Sequence, residues 1–425
     1  MQKKVLVVGL GYVGLTLAAV LLKRTTHKVY GLDSDKNKIL SLKNGRSYIF
    51  EPNLEKIIKK AIKIKKFNFA TNLIDKFDII IICVGTPIGK NKKIIDDYLI
   101  QASHQVRNYI KNDSLVILRS TVKIGSTRKI VKKIIDKENI KYHLCFCPER
   151  TAEGDAINEL EALPQIIAAE NKIAFFRAQS FFKSYNNCQI YLDKFEKGEL
   201  IKLIDNCYRD TFFSMSNQIA LMAQELNFDS DEIIEKANYK FSRTNLAKAG
   251  PVGGPCLSKD PYILYQSFKF NKPEIFLNGR KVNEKFIQNR IHAVIKIIKK
   301  ISKKNIKLSI VGITFKNDPQ TNDTRYSSAL NLIKSLKKYN SNISISVFDK
   351  NISNLEIQDL GCKKIEKFSN VFKKKDIVIF HSLVKKDQKK DLFKYYKLNK
   401  NIKIFSFWNF ANVKKIIDHN RIVNY

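Results

Sequence analysis

Carboxylates are scarce in this chain. It carries 40 Asp and Glu against 77 Lys and Arg over 425 residues, a formal charge of +37 at pH 7. Such an excess suits an anionic partner. The basic residues are nonetheless spread among Ile and Asn, with no dense basic tail and no interleaving of aromatic and basic side chains. A nucleic-acid module is therefore not expected, and attraction of a small anionic substrate is the better use of the charge. Long apolar runs are missing as well. The N-terminal run is a short strand broken by glycines, neither a targeting segment nor a membrane span. Paired cysteines are also lacking: the seven, at 83, 145, 147, 188, 207, 256 and 362, are an odd number. Cys145-Phe146-Cys147 has the wrong gap for a zinc pair, and no matching Cys/His pair follows, so no metal is expected. They read as reduced thiols of a cytoplasmic protein with no membrane association. No internal repeat or low-complexity linker stands out, and the length allows two or three domains.

What is present begins at Lys4 to Val8, a β-branched apolar run that reads as a buried strand. It feeds into Gly9-Leu10-Gly11-Tyr12-Val13-Gly14, followed by helical character from Leu15 to Lys23 and a second strand, Lys28 to Leu32, ending in Asp33. GxGxxG in this strand–turn–helix setting is a dinucleotide signature. The glycines permit the tight turn and let backbone N–H groups face a pyrophosphate at the helix start. Asp33 can accept from the ribose hydroxyls, and its charge disfavours a 2′-phosphate, which selects NAD over NADP.

Further strands at Phe77 to Val84, Ser114 to Arg119 and His143 to Cys147 end in small polar or charged residues. Gly85-Thr86-Pro87, Ser120-Thr121-Val122 and Pro148-Glu149-Arg150-Thr151-Ala152-Glu153 then line the crevice beyond the strand carboxyl ends, where ligands of open parallel sheets sit. The pair Glu149 and Glu153 reads either as helix-start residues or as substrate contacts. From Phe195 to Leu226 the pattern is one long helix, with Lys202 and Asn206 on one face. For such a pair a solvated surface is the default. Helices are expected over Asp231 to Lys240, Pro261 to Phe268 and Asn283 to Lys300.

Between them lies Gly250-Pro251-Val252-Gly253-Gly254-Pro255-Cys256-Leu257-Ser258-Lys259-Asp260. Gly253 and Gly254 let backbone and substrate approach closely, Pro255 fixes the chain before the thiol, and Lys259 favours the thiolate. The alternative is a Gly/Pro turn with a buried cysteine. After a Lys-rich boundary near Lys303 a second α/β unit follows, with strands at Leu308 to Ile313, Ile343 to Phe348, Asp376 to His381 and Lys403 to Phe407. It lacks GxGxxG, so a second dinucleotide is not expected. Lys316 and Arg325 place cations at the mouth of its first βα connection, suited to a nucleotide phosphate.

In order and spacing these segments resemble the UDP-glucose/GDP-mannose/UDP-N-acetylmannosamine dehydrogenase superfamily over nearly the whole chain. The matching pieces are GLGYVG with Asp33, Phe50-Glu51-Pro52, Val84-Gly85-Thr86-Pro87, Ser120-Thr121-Val122, Pro148-Glu149-Arg150 with Glu153, Lys202…Asn206, Gly253-Gly254-Pro255-Cys256-Leu257-Ser258-Lys259-Asp260, and Phe315-Lys316 with Asp323-Thr324-Arg325. The resemblance implies an α/β protein with two Rossmann-like, doubly wound parallel-sheet domains joined by a central helical dimerisation segment. The expected divisions are an NAD domain at 1–190, a central domain carrying the cysteine at 195–300 and a UDP-sugar domain at 305–425. It implies a four-electron oxidation of a sugar C6 alcohol to a uronate with NAD, for cell-envelope or polysaccharide precursor supply.

By matched position, Cys256 is the nucleophile that passes from thiohemiacetal to thioester. Lys202 and Asn206 stabilise the oxyanion, and Asp260 with a water moves protons. Thr121 and Glu149 position or activate the hydrolytic water, Glu153 supports them, and Lys259 gives electrostatic support. Arg243 matches an arginine that reaches a partner subunit's sugar-nucleotide site, implying a homodimer or higher homo-oligomer. Arg150, together with Cys207-Tyr208-Arg209-Asp210, resembles enzymes of N-acetylated hexosamines, since an Arg can donate to an acetamido carbonyl. UDP-glucose and GDP-mannose remain alternative substrates, and Asn322-Asp323 departs from the usual paired aspartates. Two further alternatives are a two-electron β-hydroxyacid-type dehydrogenase, which needs no cysteine, and a catalytically silent nucleotide-sugar-binding protein.

Overall fold

The computed structural model describes residues 2–136, 140–382, 392, 394 and 402–408. By density of contact the chain divides into two compact units, 1–206 with 262–273, and 207–261 with 274–425. The helical residues expected as a central segment are thus shared between the two, and the end of the third segment, 409–425, lies outside the described residues.

The first unit holds an eight-stranded sheet. In chain order its strands are β1 (Lys4–Val8), β2 (Lys28–Leu32), β3 (Phe67–Ala70), β4 (Phe77–Ile82), β5 (Ile110–Leu118), β6 (Tyr142–Phe146), β7 (Gln165–Ala169) and β8 (Gln189–Leu192). They lie in the order β3-β2-β1-β4-β5-β6-β7-β8. All neighbours are parallel except β6 and β7, so the expected parallel sheet carries one antiparallel join. The runs Val5–Val8, Ile79–Ile82 and Leu115–Leu118 are buried at every position. That is what strands covered on both faces require. One core cluster gathers Val5, Val7, Ile79, Ile81 and Ile117 under the helix Tyr12–Arg24, and another gathers Leu6, Val8, Ile80, Ile82 and Val116 on the opposite face. Because β1 lies between β2 and β4, the chain reverses its winding there and opens a crevice beyond the carboxyl ends of β1 and β4. Gly9, Asp33, Gly85, Thr121 and Glu149 all follow the ends of such strands.

In the second unit, β9 (Ile306–Val311), β10 (Ile343–Phe348), β11 (Lys363–Lys364), β12 (Ile377–Phe380) and β13 (Lys403–Ser406) form an all-parallel sheet in the order β11-β10-β9-β12-β13. Its winding reverses between β9 and β12. The long helix Phe195–Glu225 has the expected extent. The helix expected from Asn283 instead spans Glu274–Lys299. Gly279 lies inside it, where a Cβ would lie 3.0 Å from Thr211 Oγ1 and Ser214 Oγ, so glycine serves close helix packing.

Candidate active site

In the GLGYVG turn, two of the three glycines are required by close backbone contacts. Gly9 has φ +87°, and a Cβ on it would lie 2.8 Å from the Cys83 carbonyl oxygen. A Cβ on Gly14 would lie 1.9 Å from the Gly9 oxygen. Gly11 and Gly85, in contrast, have nothing within 4 Å of the Cβ position, so the space in front of the turn is open. Gly11 caps the helix Tyr12–Arg24 without any side-chain cap bond, which leaves first-turn N–H groups for an anion. Asp33, only 8% exposed, accepts from Leu10 N at 2.8 Å and from Lys38 Nζ at 3.2 Å, and Asp35 N donates to its other oxygen at 3.0 Å. An open cradle beside a fixed carboxylate is the donor and acceptor set a dinucleotide needs, and these residues fit NAD.

Tyr12 ties this turn to the next element. Its hydroxyl donates to Glu51, and Gly154 N donates to the Tyr12 oxygen at 2.6 Å and to Glu51 Oε2 at 2.9 Å. Burial and Glu51 push the Tyr12 phenol well up, so it stays a donor. Thr86 Oγ1 donates to the Thr121 carbonyl, joining the tips after β4 and β5. Glu149, 7% exposed, accepts from Arg119 Nε at 3.0 Å, from Arg150 N at 2.7 Å and from Thr151 N at 2.8 Å. Burial works to raise its carboxyl, but Arg119, the Thr151 N–H and Lys202 outweigh burial and hold it below the usual carboxylate range. A carboxylate so held orients a ligand or water better than it takes a proton. Arg119 itself, 2% exposed, also donates to the Cys147 oxygen at 3.1 Å and to Gln165 Oε1 at 2.9 Å.

Lys202 and Asn206 are each 8% exposed, so the solvated face that is the default for such a pair does not hold. Arg150 is exposed, and its Nε donates to Asp205 Oδ2 of the long helix at 2.9 Å. Glu153 is half-buried on the loop that Glu51 holds.

In the second unit the thiol of Cys256 is exposed, against the reading of a buried turn cysteine. Gly254 has φ +92°, and a Cβ on it would lie 2.5 Å from the Phe315 ring. A Cβ on Gly253 would lie 2.6 Å from the Tyr326 carbonyl oxygen, which accepts from Gly254 N at 3.3 Å. The loop is thus moulded on Phe315 and Tyr326, neighbours of Lys316 and Arg325. Arg325 is paired with Asp323 at 2.8 Å, and Lys316 lies 5.8 Å from the centre of the Phe315 ring. Lys259 Nζ donates to Asp260 Oδ1 at 2.6 Å, and Asp260 is fully buried. Burial pulls the Lys259 ammonium down, but Asp260 and then Cys256 more than reverse this, so it stays charged beside the thiol. Arg243 is exposed, stacked on Phe241 at 4.9 Å.

Sequence reasoning assigned nothing to Arg119 or to Arg280. Both had a signal: Arg119 directly follows a strand whose last five residues are buried, and Arg280 falls on the apolar face with Leu277, Ile287 and Ile291. A charge in either place needs a partner. Among the described residues no cluster of His, Cys, Asp or Glu is placed to hold a metal ion, and no helix is long and apolar enough to cross a membrane.

Three family models match in succession: the UDP-glucose/GDP-mannose dehydrogenase family NAD binding domain over residues 3–186, its central domain over 196–285 and its UDP binding domain over 309–412. A UDP-N-acetyl-D-mannosamine dehydrogenase of Methanococcus vannielii is 32% identical over 361 residues, 84% of this chain and 82% of that protein. Among solved structures, the UDP-D-ManNAc dehydrogenase of Pyrococcus horikoshii aligns with a TM-score of 0.83 at 23% identity, covering 98% of this chain and 96% of that one. A UDP-glucose dehydrogenase from Pyrobaculum islandicum aligns with a TM-score of 0.82 at 22% identity, covering 100% and 98%. The fold is common to both and does not discriminate between their sugars. An open cradle for NAD, an exposed thiol on a glycine loop and three consecutive family matches lead to one conclusion: the chain belongs to the UDP-glucose/GDP-mannose dehydrogenase family of NAD-dependent nucleotide-sugar oxidoreductases.

Proposed function

We propose that the chain oxidises the C6 alcohol of a UDP-N-acetylhexosamine, UDP-N-acetylmannosamine first among them, to the uronate. The observation that carries the substrate choice is the 32% identity, over 84% of the chain, to a UDP-N-acetyl-D-mannosamine dehydrogenase. Arg150, directly after Glu149, adds a donor suited to an acetamido carbonyl. Gly9, Gly11, Tyr12, Val13, Gly14, Asp33, Thr86 and Thr121 would hold NAD, which would accept one hydride each time it binds, so that two NAD are consumed per sugar.

Cys256 Sγ would add to the C6 aldehyde to give a thiohemiacetal; loss of its C6 hydride to a second NAD and of its hydroxyl proton would leave a thioester, which water cleaves to the carboxylate and the free thiol. Covalent capture keeps the aldehyde from escaping. Lys202 and Asn206 stabilise the oxyanion on C6, and Asp260, paired with Lys259, relays protons through a water. Glu149 and Thr121 orient the hydrolytic water, with Glu153 in support. Lys316 and Arg325 meet the nucleotide phosphates, Gly253 lets the sugar approach the backbone, and Arg243 completes the site of a second copy in a homodimer or larger assembly. The working domain limits are 1–190, 195–300 and 305–425, in a cytoplasmic enzyme supplying polysaccharide precursors.

The test is NADH formed per sugar consumed on UDP-N-acetylmannosamine, UDP-N-acetylglucosamine, UDP-glucose and GDP-mannose. About two NADH per sugar on an N-acetylhexosamine is expected. One NADH with a released aldehyde would remove the thioester half, and turnover of UDP-glucose alone would remove the substrate.

A further inference from the structure

The loop that carries Cys256 has few side-chain anchors of its own. Its eight residues Gly250 to Leu257 include three glycines and two prolines. Beyond its packing on Phe315 and Tyr326, its two flanks are both reached from outside by one guanidinium. Arg280 donates from Nη2 to the Val252 carbonyl at 3.1 Å and from Nη1 to the Leu257 carbonyl at 3.5 Å. Those two carbonyls bracket Gly253 to Cys256.

Arg280 is itself fixed. It is 1% exposed, and its Nη1 donates to Asp210 Oδ1 at 2.9 Å. Asn283 Nδ2 donates to the same oxygen at 2.9 Å, and Asn217 Nδ2 donates to Asn283 Oδ1 at 2.7 Å. Asn217 also holds both backbone groups of Gly250, accepting from its N at 2.9 Å and donating to its O at 3.0 Å. Asp210, Asn217 and Asn283 are each fully buried. Two from the long helix and two from Glu274–Lys299, these side chains form one polar network whose output is the loop on either side of the thiol.

We infer that Arg280 is the positioning residue of the Cys256 thiol: it fixes the backbone on both sides of the loop, and so the place of Sγ, without touching the substrate. The inference rests on the reading of Cys256 as nucleophile. A lysine cannot replace it, because an ammonium offers a point charge where a planar fork must span two carbonyls and a carboxylate.

The experiment uses the full-length chain and Arg280→Lys, Arg280→Met and Asp210→Asn, with Cys256→Ser as reference. Four quantities are read: kcat, NADH per sugar with a hydrazine trap for free aldehyde, the pH profile of Cys256 alkylation by iodoacetamide (followed by mass spectrometry), and NAD affinity. A thiol displaced by about an ångström costs on the order of a hundredfold in kcat. It also lets aldehyde escape, so NADH per sugar falls from about two towards one in Arg280→Lys. The Cys256 alkylation profile shifts, and NAD affinity is unchanged. Should Arg280→Met lose the fold, Arg280→Lys and Asp210→Asn carry the test. Arg280→Lys with full stoichiometry and an unshifted alkylation profile would overturn the inference. Two NADH per sugar from Cys256→Ser would instead overturn the nucleophile reading, while the alkylation profiles still report whether Arg280 places the thiol.

Discussion

Removing Arg119 should unsettle the sheet beneath the cofactor crevice in a way that depends on pH. Arg119→Met deletes the guanidinium contacts to Glu149, the Cys147 carbonyl and Gln165, all in a site where Arg119 is 2% exposed. Breaking a buried pair by taking one partner costs about 3–5 kcal/mol, because the other charge stays behind. With Arg119 present, the folded-state carboxyl of Glu149 is depressed, so its contribution is present at neutral pH and is lost as pH falls through the carboxylate range. Without Arg119 burial dominates, the carboxyl rises, and its contribution is lost as pH rises instead. The deficit of Arg119→Met is therefore largest near neutrality and shrinks towards about pH 5. Cys147, fully buried and hydrogen-bonded through its carbonyl to Arg119, is a local reporter. Its alkylation against urea concentration, read by mass spectrometry, isolates the unfolding of this sheet. Adding Glu149→Leu to Arg119→Met should recover a large part of the loss, since an apolar pair replaces a stranded charge. Additivity of the two substitutions within about 0.5 kcal/mol, or a deficit that grows at low pH, would refute the reasoning.

Three other outcomes are expected. Asp33→Ala removes charge-assisted acceptors for a ribose, worth about 1.5–3 kcal/mol, and should raise the NAD KM about tenfold or more; unchanged affinity would refute the ribose contact. Gly254→Ala sets a Cβ 2.5 Å from the Phe315 ring at φ +92° and should lower kcat, with partial recovery on Phe315→Ala; wild-type turnover would show that the loop yields freely. His381, 4% exposed, has its imidazole pushed down to about 4 by burial, so it is neutral when folded and takes a proton on unfolding. Stability of the second sheet is then complete above about pH 6.5 and falls by roughly 3 kcal/mol towards pH 4. Trp408 donates to the His381 carbonyl at 2.9 Å, and its fluorescence during urea unfolding should show the slope, which His381→Gln should flatten.

Much of the framework was legible because it is carried by local pattern. The strand Lys4–Val8 falls where a β-branched apolar run places it, and Lys28–Leu32 and Ile343–Phe348 fall where they are expected. The strands Phe67–Ala70 and Gln189–Leu192 were not anticipated. They are short edge strands, the second with Ile190 and Tyr191 exposed, and carry no buried alternation to read. The helix expected from Asn283 begins at Glu274, and its first turns carry a glycine that serves packing, a role sequence does not display. In the candidate site, GLGYVG could be read as a dinucleotide turn because its signal is local. The burial of Lys202 and Asn206 could not, since polar residues one turn apart look like a wet helix face. Nor could the pairing of Arg119 with Glu149, which are 30 positions apart and meet only because β5 and β6 are neighbours.

Gly279 has a consequence for engineering. Glycine inside a helix is the usual first target for thermostabilisation, because alanine there is worth about 0.5–1 kcal/mol. Here the added methyl would lie 3.0 Å from Thr211 Oγ1 and 3.2 Å from Thr211 Cα, on the helix next to Asp210. The residue after Gly279 is Arg280. If the helices spread to make room, the Asp210–Arg280 bond would stretch, and on the proposed mechanism a consensus-style substitution chosen for stability would be paid in reaction fidelity, as aldehyde leaked before capture. For a library built on this scaffold, 279 belongs with the cysteine among the positions held fixed.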